Sequence, residues 1–353
     1  MHRSSLSPVR LTALATASPP HVLRQTDVAQ FARALFGDKR GAEIERLLPA
    51  FENAGIEQRH SCVPLEWYGE PHGWAEKNRL YIEHAAKLAE EAVEKCLGHT
   101  GMGVDDIDAI VTVSSSGIAT PSLDALLTER MGFRRDVQRL PIFGLGCAGG
   151  VLGLSRGAAM AHALPGANVM VVVVELCGLT FRSADDDKSN IIATALFGDG
   201  AAAALLTHRS EGLRLAAWGE HTWPDSLDVM GWRIEDDGFG VLFSRDIPNL
   251  VRTDLRAAAE RFLSREGLTL DDLAGTVCHP GGAKVLDALE TAFGLAPGSM
   301  EDARAVLREH GNMSAVTVLF VLKRMLAREM RGRHLMSALG PGFTAAFLLL
   351  DDT

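Results

Sequence analysis

The stretch GVDDIDAIVTVSSSG, from Gly103 to Gly117, is echoed later in the chain by LTLDDLAGTVCHPGG, from Leu268 to Gly282. Each stretch has a pair of aspartates, a short apolar run and a turn of small residues after that run. An apolar, β-branched run closed by small residues is typical of a buried strand that ends in a tight turn. The echo therefore predicts two copies of one α/β unit.

Two later pairs of segments repeat in the same order. CAGGVLGLSRGAAMA, starting at Cys147, and GNMSAVTVLFVLKRML, starting at Gly311, are both small-residue turns that run into a helical pattern. LFGDGAAAALL, starting at Leu196, and LGPGFTAAFLLL, starting at Leu339, are both glycine-bracketed turns that run into an apolar strand. Three echoes in one order predict a duplicated fold whose equivalent turns converge on one site.

The rest of the chain follows the same alternation. A helical pattern at 78–98 precedes an apolar β-branched run at 109–113, and a further run follows at 169–175. Such alternation predicts an α/β fold with parallel strands covered by helices. We expect the two halves to span residues 1–210 and 211–353.

The composition limits the class of protein. The chain has 353 residues, 47% of them hydrophobic, and a formal net charge of −10 at pH 7, which argues against nucleic-acid binding and a polybasic membrane anchor. The longest apolar runs are strand-sized and fall short of a membrane span. Five scattered cysteines without a CxxC pair predict neither a disulfide scaffold nor a zinc site. We therefore expect a cytoplasmic protein without a metal, a membrane span or a nucleic-acid partner.

Cys147 lies in the motif GLGCAGG, between an apolar run and a helical pattern. Flanking glycines allow a sharp backbone bend and leave room for a bulky acyl thioester. The N-terminus of a helix favours the thiolate, which is the form of cysteine that attacks a carbonyl carbon. A buried cysteine that fills a small hole is the commoner situation in proteins. By itself the motif leaves both interpretations open.

His279 and Asn312 are the candidate partners of that cysteine. His279 ends the second copy of the repeated strand, in VCHPGG, and a cysteine nucleophile needs a base or an imidazolium neighbour. A histidine that caps a turn or bonds within the core is the commoner case. Asn312 is the counterpart of Cys147 in the repeat. A turn asparagine usually bonds its own backbone, but an amide in this position is better explained as a donor to a shared oxyanion.

Four motifs in order, GLGCAGG, VCHPGGAKVLD, HGNMSAVTVLF and LGPGFT, carry a resemblance to a known family. The chain resembles the type III polyketide synthases, the chalcone-synthase-like branch of the thiolase superfamily, from residue 16 to residue 348. The related ketoacyl-ACP synthases III typically carry a Gly-Asn-Thr-Ser turn where this chain has GNMS from Gly311. The resemblance implies a thiolase-like fold, with duplicated α/β halves in a five-layered αβαβα sandwich, and a homodimer.

The resemblance also implies a mechanism. Cys147 accepts an acyl group from a CoA starter, with His279 holding the thiolate as an ion pair. Malonyl-CoA then loses CO2, and His279 and Asn312 donate hydrogen bonds to the enolate oxygen. The carbanion attacks the acyl thioester, and the lengthened chain returns to Cys147. CoA thioesters are then substrates, with no permanently bound cofactor and no metal.

Further positions match the family's substrate-binding residues. Phe197, in LFGDG, matches a phenylalanine between the CoA tunnel and the cavity, where an apolar ring favours loss of the malonyl carboxylate. The other matching cavity positions are Ser115, Thr120, Cys177, Thr180, Trp232, Val241, Ser314, Gly340, Pro341 and Gly342. Arg46 matches a CoA-binding cation, and Lys284 is a further candidate for that role.

Trp232 departs from the chalcone-synthase pattern, because the plant enzymes have glycine there. A tryptophan should fill much of an aromatic starter pocket. Its context, VMGW, resembles bacterial enzymes that extend fatty acyl-CoAs into alkylpyrones or alkylresorcinols. We therefore expect a fatty acyl starter and a pyrone or resorcinol product.

Two alternatives belong to other functional classes. A ketoacyl-ACP synthase III would perform one condensation on an acyl carrier protein, but the acidic net charge gives no sign of a basic docking surface. A non-catalytic dimer that only binds acyl-CoA would be free to lose any of Cys147, His279 and Asn312. The presence of all three residues therefore argues against this alternative.

Overall fold

The computed structural model describes residues 8–209, 211–244 and 246–352. The strands of these residues are β1 (Arg10–Ala17), β2 (His21–Arg24), β3 (Gln58–Ser61), β4 (Ala109–Val113), β5 (Gln138–Ile142), β6 (Val169–Leu176), β7 (Asp199–Thr207), β8 (Leu213–Thr222), β9 (Met230–Glu235), β10 (Gly238–Phe243), β11 (Gly275–Cys278), β12 (Arg333–Gly340) and β13 (Thr344–Asp351).

The helices alternate with the strands as the sequence predicts. They are α1 (Gln25–Arg40), α2 (Ala42–Leu47), α3 (Pro49–Glu52), α4 (Trp74–Gly98), α5 (Leu123–Met131), α6 (Gly149–Ala163), α7 (Lys188–Leu196), α8 (Ile247–Leu250), α9 (Arg256–Arg265), α10 (Ala283–Phe293), α11 (Glu301–His310) and α12 (Thr317–Leu326). A π-helical turn, Val251–Leu255, connects α8 to α9. None of the described helices combines the length and the apolar character needed to cross a membrane.

Nine strands form one sheet whose two parts have the same topology. Its order is β11-β12-β13-β8-β1-β7-β6-β4-β5. In the first half β4 and β6 are parallel, and β6, β7 and β1 then pair antiparallel. In the second half β11 and β12 are parallel, and β12, β13 and β8 then pair antiparallel. The halves join through a short pairing of Arg10 and Leu11 with Arg214 and Leu213.

The repeated aspartate pairs form matching turns. Asp106 accepts a hydrogen bond from the backbone N–H of Gly103, and Asp272 accepts one from that of Thr269, both at 2.8 Å. Each turn leads directly into a strand that is parallel to its neighbour. The predicted duplication is thus confirmed in local structure as well as in topology.

The helices and the two parts of the sheet stack as five layers, which are outer helices, the first part of the sheet, central helices, the second part of the sheet and outer helices. Helices α4 and α5 cover the outer face of the first half, α6 and α12 lie between the halves, and α9 packs on β8 and β13. In β6, Val171 and Val173 face the core shared with α6, whereas Met170 and Val172 face the core shared with α4. Both faces of this strand are buried, which explains its uninterrupted apolar run. The predicted αβαβα architecture is confirmed.

Candidate active site

Three side chains that are far apart in the sequence meet at one cavity of about 570 Å³. Cys147 comes from the turn before α6, His279 from the end of β11, and Asn312 from the loop after α11. Their exposed fractions are 8%, 5% and 1% respectively. The structure therefore brings together the three residues that the sequence analysis selected.

The glycines around Cys147 are required by packing between the halves. Gly146 has a left-handed φ of 47°, and a Cβ there would lie 2.6 Å from Cδ of Pro341. A Cβ on Gly150 would lie 2.2 Å from the carbonyl oxygen of Ala315. The sharp bend is thus confirmed, but the space beside these glycines is filled by turns of the second half, not left open for a thioester.

A buried carboxylate lies behind the cysteine loop. Glu175 accepts hydrogen bonds from the Ser115 N–H at 3.0 Å and from the Ser116 hydroxyl at 2.6 Å. The Ser115 hydroxyl in turn accepts hydrogen bonds from the N–H groups of Gly144 and Gly146, both at 3.2 Å. Burial raises the pKa of Glu175 to about 7. Ser115 is therefore a support of the cysteine loop, and it does not line either cavity described here.

Burial dominates the electrostatics of the thiol and the imidazole. It raises the pKa of Cys147 to about 12; the Ser314 hydroxyl, which hydrogen-bonds the thiol, lowers that pKa, and the charge of Glu175 raises it further. Burial also lowers the pKa of His279 to about 4. Desolvation thus outweighs the expected effect of the helix start and favours the neutral form of both groups. A thiolate–imidazolium pair would have to gain its stability from direct contact of its members.

The loop after α11 holds both Asn312 and Ser314. The Asn312 amide nitrogen donates to the carbonyl of Gly281 at 3.2 Å, and its carbonyl oxygen accepts from the N–H of Ser314 at 2.9 Å. Ser314 adopts a left-handed φ of 49°, which a non-glycine residue rarely does. This geometry aims the Ser314 hydroxyl at Cys147 and fixes the orientation of the amide.

Helix α7 forms the wall between the first cavity and a second one. Its residues Ile192 and Leu196 line the first cavity, whereas Ala193 and Phe197, which directly follows the helix, line a second cavity of about 50 Å³. The ring of Phe197 lies 5.8 Å from that of Phe243, which lines the first cavity. Phe197 therefore lies at the boundary between the two cavities.

The second cavity collects part of the predicted substrate-binding set. Cys177, Thr180, Phe197 and Val241 all line it. Trp232 lies behind this wall, with its ring 6.0 Å from that of Phe197. Trp232 therefore packs on a lining residue of the second cavity without lining either cavity itself.

Several predicted residues do not line either cavity. Thr120 is exposed, because its loop leaves the end of β4 towards the surface. Gly340 and Pro341 pack on the cysteine loop, where a Cβ on Gly340 would lie 2.5 Å from the carbonyl oxygen of Leu145. Gly342 has a φ of 93° in the turn before β13. Gly340 and Pro341 therefore shape the cysteine loop, whereas Gly342 shapes the turn that leads into β13.

The cations divide into cavity and surface groups. Lys284, at the start of α10, lines the first cavity, and so does Lys188, at the start of α7. Arg46 is exposed on α2 and lies outside the lining. The run Asp185 to Asp187 belongs to the loop before α7, where Asp185 pairs with Arg182 at 2.8 Å. No group of side chains in the described part of the chain has the make-up of a metal site.

Sequence reasoning missed Glu175 and Lys188. A signal for Glu175 was available, because it is the single charge in the apolar strand VMVVVVEL. Lys188 carried no such signal, since a lysine at the start of a helix is usually a surface charge. Its contact with the cavity depends on how α7 packs against the second half.

Family models cover both halves of the chain. The model "Chalcone and stilbene synthases, N-terminal domain" matches residues 2–209, and its C-terminal counterpart matches residues 215–351. A Bacillus subtilis (strain 168) protein named provisionally as a chalcone synthase is 41% identical over 97% of this chain and 98% of its own length. The 1,3,6,8-tetrahydroxynaphthalene synthase of Streptomyces peucetius subsp. caesius is 38% identical over 96% of this chain and 92% of its own length.

Solved structures show the same likeness. The crystal structure of 1,3,6,8-tetrahydroxynaphthalene synthase from Streptomyces coelicolor A3(2), described as a bacterial type III polyketide synthase, matches with a TM-score of 0.92. It shares 30% sequence identity, and the match covers 97% of this chain and 99% of that one.

The carboxylate behind the cysteine loop has a measurable effect on the thiol. We expect Glu175→Gln to lower the pKa of Cys147, because the substitution removes a nearby negative charge that raises it and keeps a hydrogen-bond acceptor. The measurement is the pH dependence of Cys147 alkylation by iodoacetamide, read by mass spectrometry. The midpoint should move to lower pH.

Asp124→Asn is the matched control, because Asp124 is equally buried but pairs with Arg139 and Thr112. Its alkylation midpoint should equal that of the unmodified chain. An unchanged midpoint in Glu175→Gln would contradict the electrostatic role of Glu175.

Proposed function

Because this chain belongs to the chalcone and stilbene synthase family and is a type III polyketide synthase, we propose that Cys147 is loaded from an acyl-CoA starter and that malonyl-CoA extends the chain in repeated decarboxylative condensations. The observation that carries this proposal is the single cavity shared by Cys147, His279 and Asn312. Enzymes of this family are acyltransferases that act on CoA thioesters.

Loading is a thioester exchange, in which the acyl group moves from the thiol of CoA to the thiol of Cys147. Sγ of Cys147 attacks the thioester carbon of acyl-CoA, the carbon–sulfur bond to CoA breaks, and CoA leaves as a thiol. His279 accepts the proton of Cys147 and passes it to the leaving sulfur. Burial keeps the imidazole neutral at pH 7, which is the form that accepts a proton. Both ring nitrogens are buried without a hydrogen-bond partner among the described residues, so they remain available for this exchange.

Decarboxylation needs donors for the developing oxyanion. The bond between the malonyl carboxylate and the α-carbon breaks, CO2 leaves, and the electron pair becomes an enolate with its charge on the thioester oxygen. The amide nitrogen of Asn312 carries two hydrogens and gives one to the carbonyl of Gly281. Its second hydrogen and an N–H of His279 can bind the enolate oxygen. Donors fixed in a water-poor site stabilise such charge more than solvent does.

Condensation closes the cycle. The enolate carbon attacks the acyl carbon on Cys147, the carbon–sulfur bond breaks, and a lengthened 3-oxoacyl-CoA forms. Exchange with the regenerated thiolate returns this chain to Cys147 for the next round. In this scheme the half spanning residues 1–210 supplies the nucleophile, and the half spanning residues 211–353 supplies His279 and Asn312.

The lining of the first cavity offers charge for the phosphates of CoA. Lys188 and Lys284 both line the first cavity, in a protein whose formal net charge is −10. A local pair of ammonium groups can hold a phosphate group on an otherwise acidic surface. Arg46 precedes Pro49, a lining residue, and is available as an outer contact.

We propose a fatty acyl starter and closure of the product to a pyrone or a resorcinol. The second cavity supports an aliphatic starter, because Leu23, Val28, Phe31 and Leu65 line it. Formation of tetrahydroxynaphthalene is a second candidate. The relative from Streptomyces peucetius is named for that product, and a second cavity of about 50 Å³ favours a small starter.

Loading and decarboxylation should respond to different residues. We expect Cys147→Ala to abolish the acyl adduct but to retain CO2 release from malonyl-CoA, since decarboxylation uses His279 and Asn312. Asn312→Ala should keep the adduct and slow CO2 release by about 10²–10³-fold, the usual cost of one oxyanion donor. The measurements are mass spectrometry after incubation with acyl-CoA and release of labelled CO2 from malonyl-CoA.

An adduct on Cys177 or Cys278 instead of Cys147 would refute the assignment of the nucleophile. A starter panel in the same assay separates the two product candidates. Pyrones or resorcinols from fatty acyl-CoAs support the first candidate, and tetrahydroxynaphthalene from malonyl-CoA alone supports the second.

Trp232 should limit the size of the starter. We expect Trp232→Gly to raise the kcat/KM ratio of an aromatic to a short aliphatic starter by about tenfold or more, because the indole ring no longer supports the wall at Phe197. Trp223→Gly is the matched control, since Trp223 packs on Phe343 and lines neither cavity. An equal shift in both variants, or none in Trp232→Gly, would count against the assignment.

We further propose that the protein is a homodimer that uses the edge of the sheet at β5. Every residue of β5 is exposed or half-exposed. Ile118, Leu140 and Phe143 near this edge have exposed fractions of 43%, 37% and 55%. An exposed strand edge with apolar neighbours is a surface that another chain can cover.

We expect Phe143→Glu to shift the protein from two chains towards one in sedimentation equilibrium, because a carboxylate is costly to bury in an apolar interface. Leu227→Glu is the control, since Leu227 is 82% exposed and far from β5 along the chain. The mass that sedimentation equilibrium gives for the Leu227→Glu assembly should equal that of the unmodified protein. A dimer that withstands Phe143→Glu would place the interface elsewhere.

A further inference from the structure

Arg59, in β3, is a buried cation that binds backbone carbonyls. Its exposed fraction is 3%. Nη1 donates to the carbonyls of Thr194 at 2.6 Å and Phe197 at 3.2 Å, and Nη2 donates to that of Ala195 at 3.0 Å. The last carbonyls of a helix lack partners within the helix and form the negative end of its dipole. Arg59 therefore fixes the C-terminal end of α7 and the residue that follows it.

The same end of α7 is bonded to the loop that carries Asn312. The N–H of Asn312 donates to the carbonyl of Leu196 at 2.8 Å, and the N–H of Gly198 donates to the carbonyl of Asn312 at 3.0 Å. Phe197 and Asn312 thus form a parallel bridge. The carbonyl of Phe197 points the other way, to Arg59.

The stem of Arg59 also packs on both sides of this bridge. A Cβ built on Gly198 would lie 3.3 Å from Cβ of Arg59, and one built on Gly311 would lie 3.4 Å from it. Gly198 directly follows Phe197, and Gly311 directly precedes Asn312. Arg59 therefore touches the two segments that carry these side chains.

Gln25 extends the network to the wall of the first cavity. Its oxygen accepts a hydrogen bond from Nη2 of Arg59, and its amide nitrogen donates to the carbonyls of Ala195 at 3.1 Å and Phe51 at 2.9 Å. Phe51 belongs to α3, which also carries the lining residue Pro49. The cavity wall and the end of α7 thus share one set of hydrogen bonds.

The charge of Arg59 is maintained although the group is buried. Burial lowers the pKa of Arg59 to about 10, and the nearby carboxylate of Asp199 partly opposes that shift. Asp199 itself accepts one hydrogen bond at each oxygen, from the N–H groups of Cys62 and Gly178. The guanidinium group is therefore charged at pH 7 and free to bind carbonyls.

From this geometry we infer that Arg59 is a positioning residue for the condensation, which holds Phe197 and Asn312 in one fixed arrangement. The inference rests on the proposed function of Asn312 as an oxyanion donor. The planar guanidinium group of Arg59 reaches three carbonyls and the Gln25 oxygen at once, and a lysine ammonium cannot reproduce that geometry. Loading of Cys147 does not depend on Asn312 in this mechanism, so the two half-reactions should separate.

The test is Arg59→Lys, which keeps the positive charge. We expect kcat for CO2 release from malonyl-CoA to fall by about 10²-fold, because a displacement near 1 Å at a reacting group costs that much. The KM for malonyl-CoA and the single-turnover rate at which a short aliphatic acyl-CoA loads Cys147 should stay within about twofold, since neither relies on the Asn312 donor and a short starter does not depend on the wall at Phe197. Both are normalised to the folded fraction measured by circular dichroism. A merely structural role would lower both half-reactions by the same factor.

Arg304→Lys is the matched control. Arg304 binds Asp287 and Glu290, both at 2.8 Å, and clamps α10 to α11 outside both cavities. It should leave the ratio of the two half-reactions unchanged. Gln25→Met is the second variant if Arg59→Lys does not fold, and it should lower CO2 release in the same direction but less.

The outcomes separate the inference from the proposed function. If the unmodified chain neither loads an acyl group nor releases CO2, the proposed function fails. If the unmodified chain does both, the proposed function stands. If Arg59→Lys and Gln25→Met then show the same ratio of CO2 release to acyl loading as the unmodified chain, the positioning role of Arg59 is overturned.

Discussion

The close contact between the two halves at the start of α6 is the constraint on which the rest of the site depends. Gly150 lies against the carbonyl oxygen of Ala315, where even a methyl group would come within 2.2 Å. Because turns of the second half occupy the space beside the cysteine loop, the thiol of Cys147 is buried and lines the same cavity as Asn312 and His279. The geometry of the candidate site is thus a consequence of how the duplicated halves pack.

The same packing sets the chemistry. Burial disfavours the charged forms of Cys147 and His279, so charge can develop there only when one group exchanges a proton with the other or with substrate. In a buried site, a fixed amide donor such as Asn312 binds an oxyanion more strongly than it would in water. Helix α7 then divides the interior, and its last turn is fixed by Arg59 on one side and bridged to Asn312 on the other.

Much of this arrangement was predictable from local patterns. The turns at Asp106 and Asp272 are recognisable because an aspartate side chain bonds a backbone N–H only three residues away. Cys147 and Asn312 stood out because their small-residue neighbours occur in both copies of the repeat. The cavity-lining positions Cys177 and Val241 came from resemblance to a family, since neither has a distinctive local sequence.

The sequence by itself determined the duplicated α/β architecture, because that architecture is encoded in short segments that appear twice, and it offered Cys147, His279 and Asn312 as candidates, because each lies in a turn of those segments. Only the tertiary structure decided the rest. Thr120 is exposed, Pro341 packs on the cysteine loop, and Arg59 binds the end of α7. Each outcome depends on which distant segment fills the space beside a residue, and packing of that kind has no periodicity that a sequence can display.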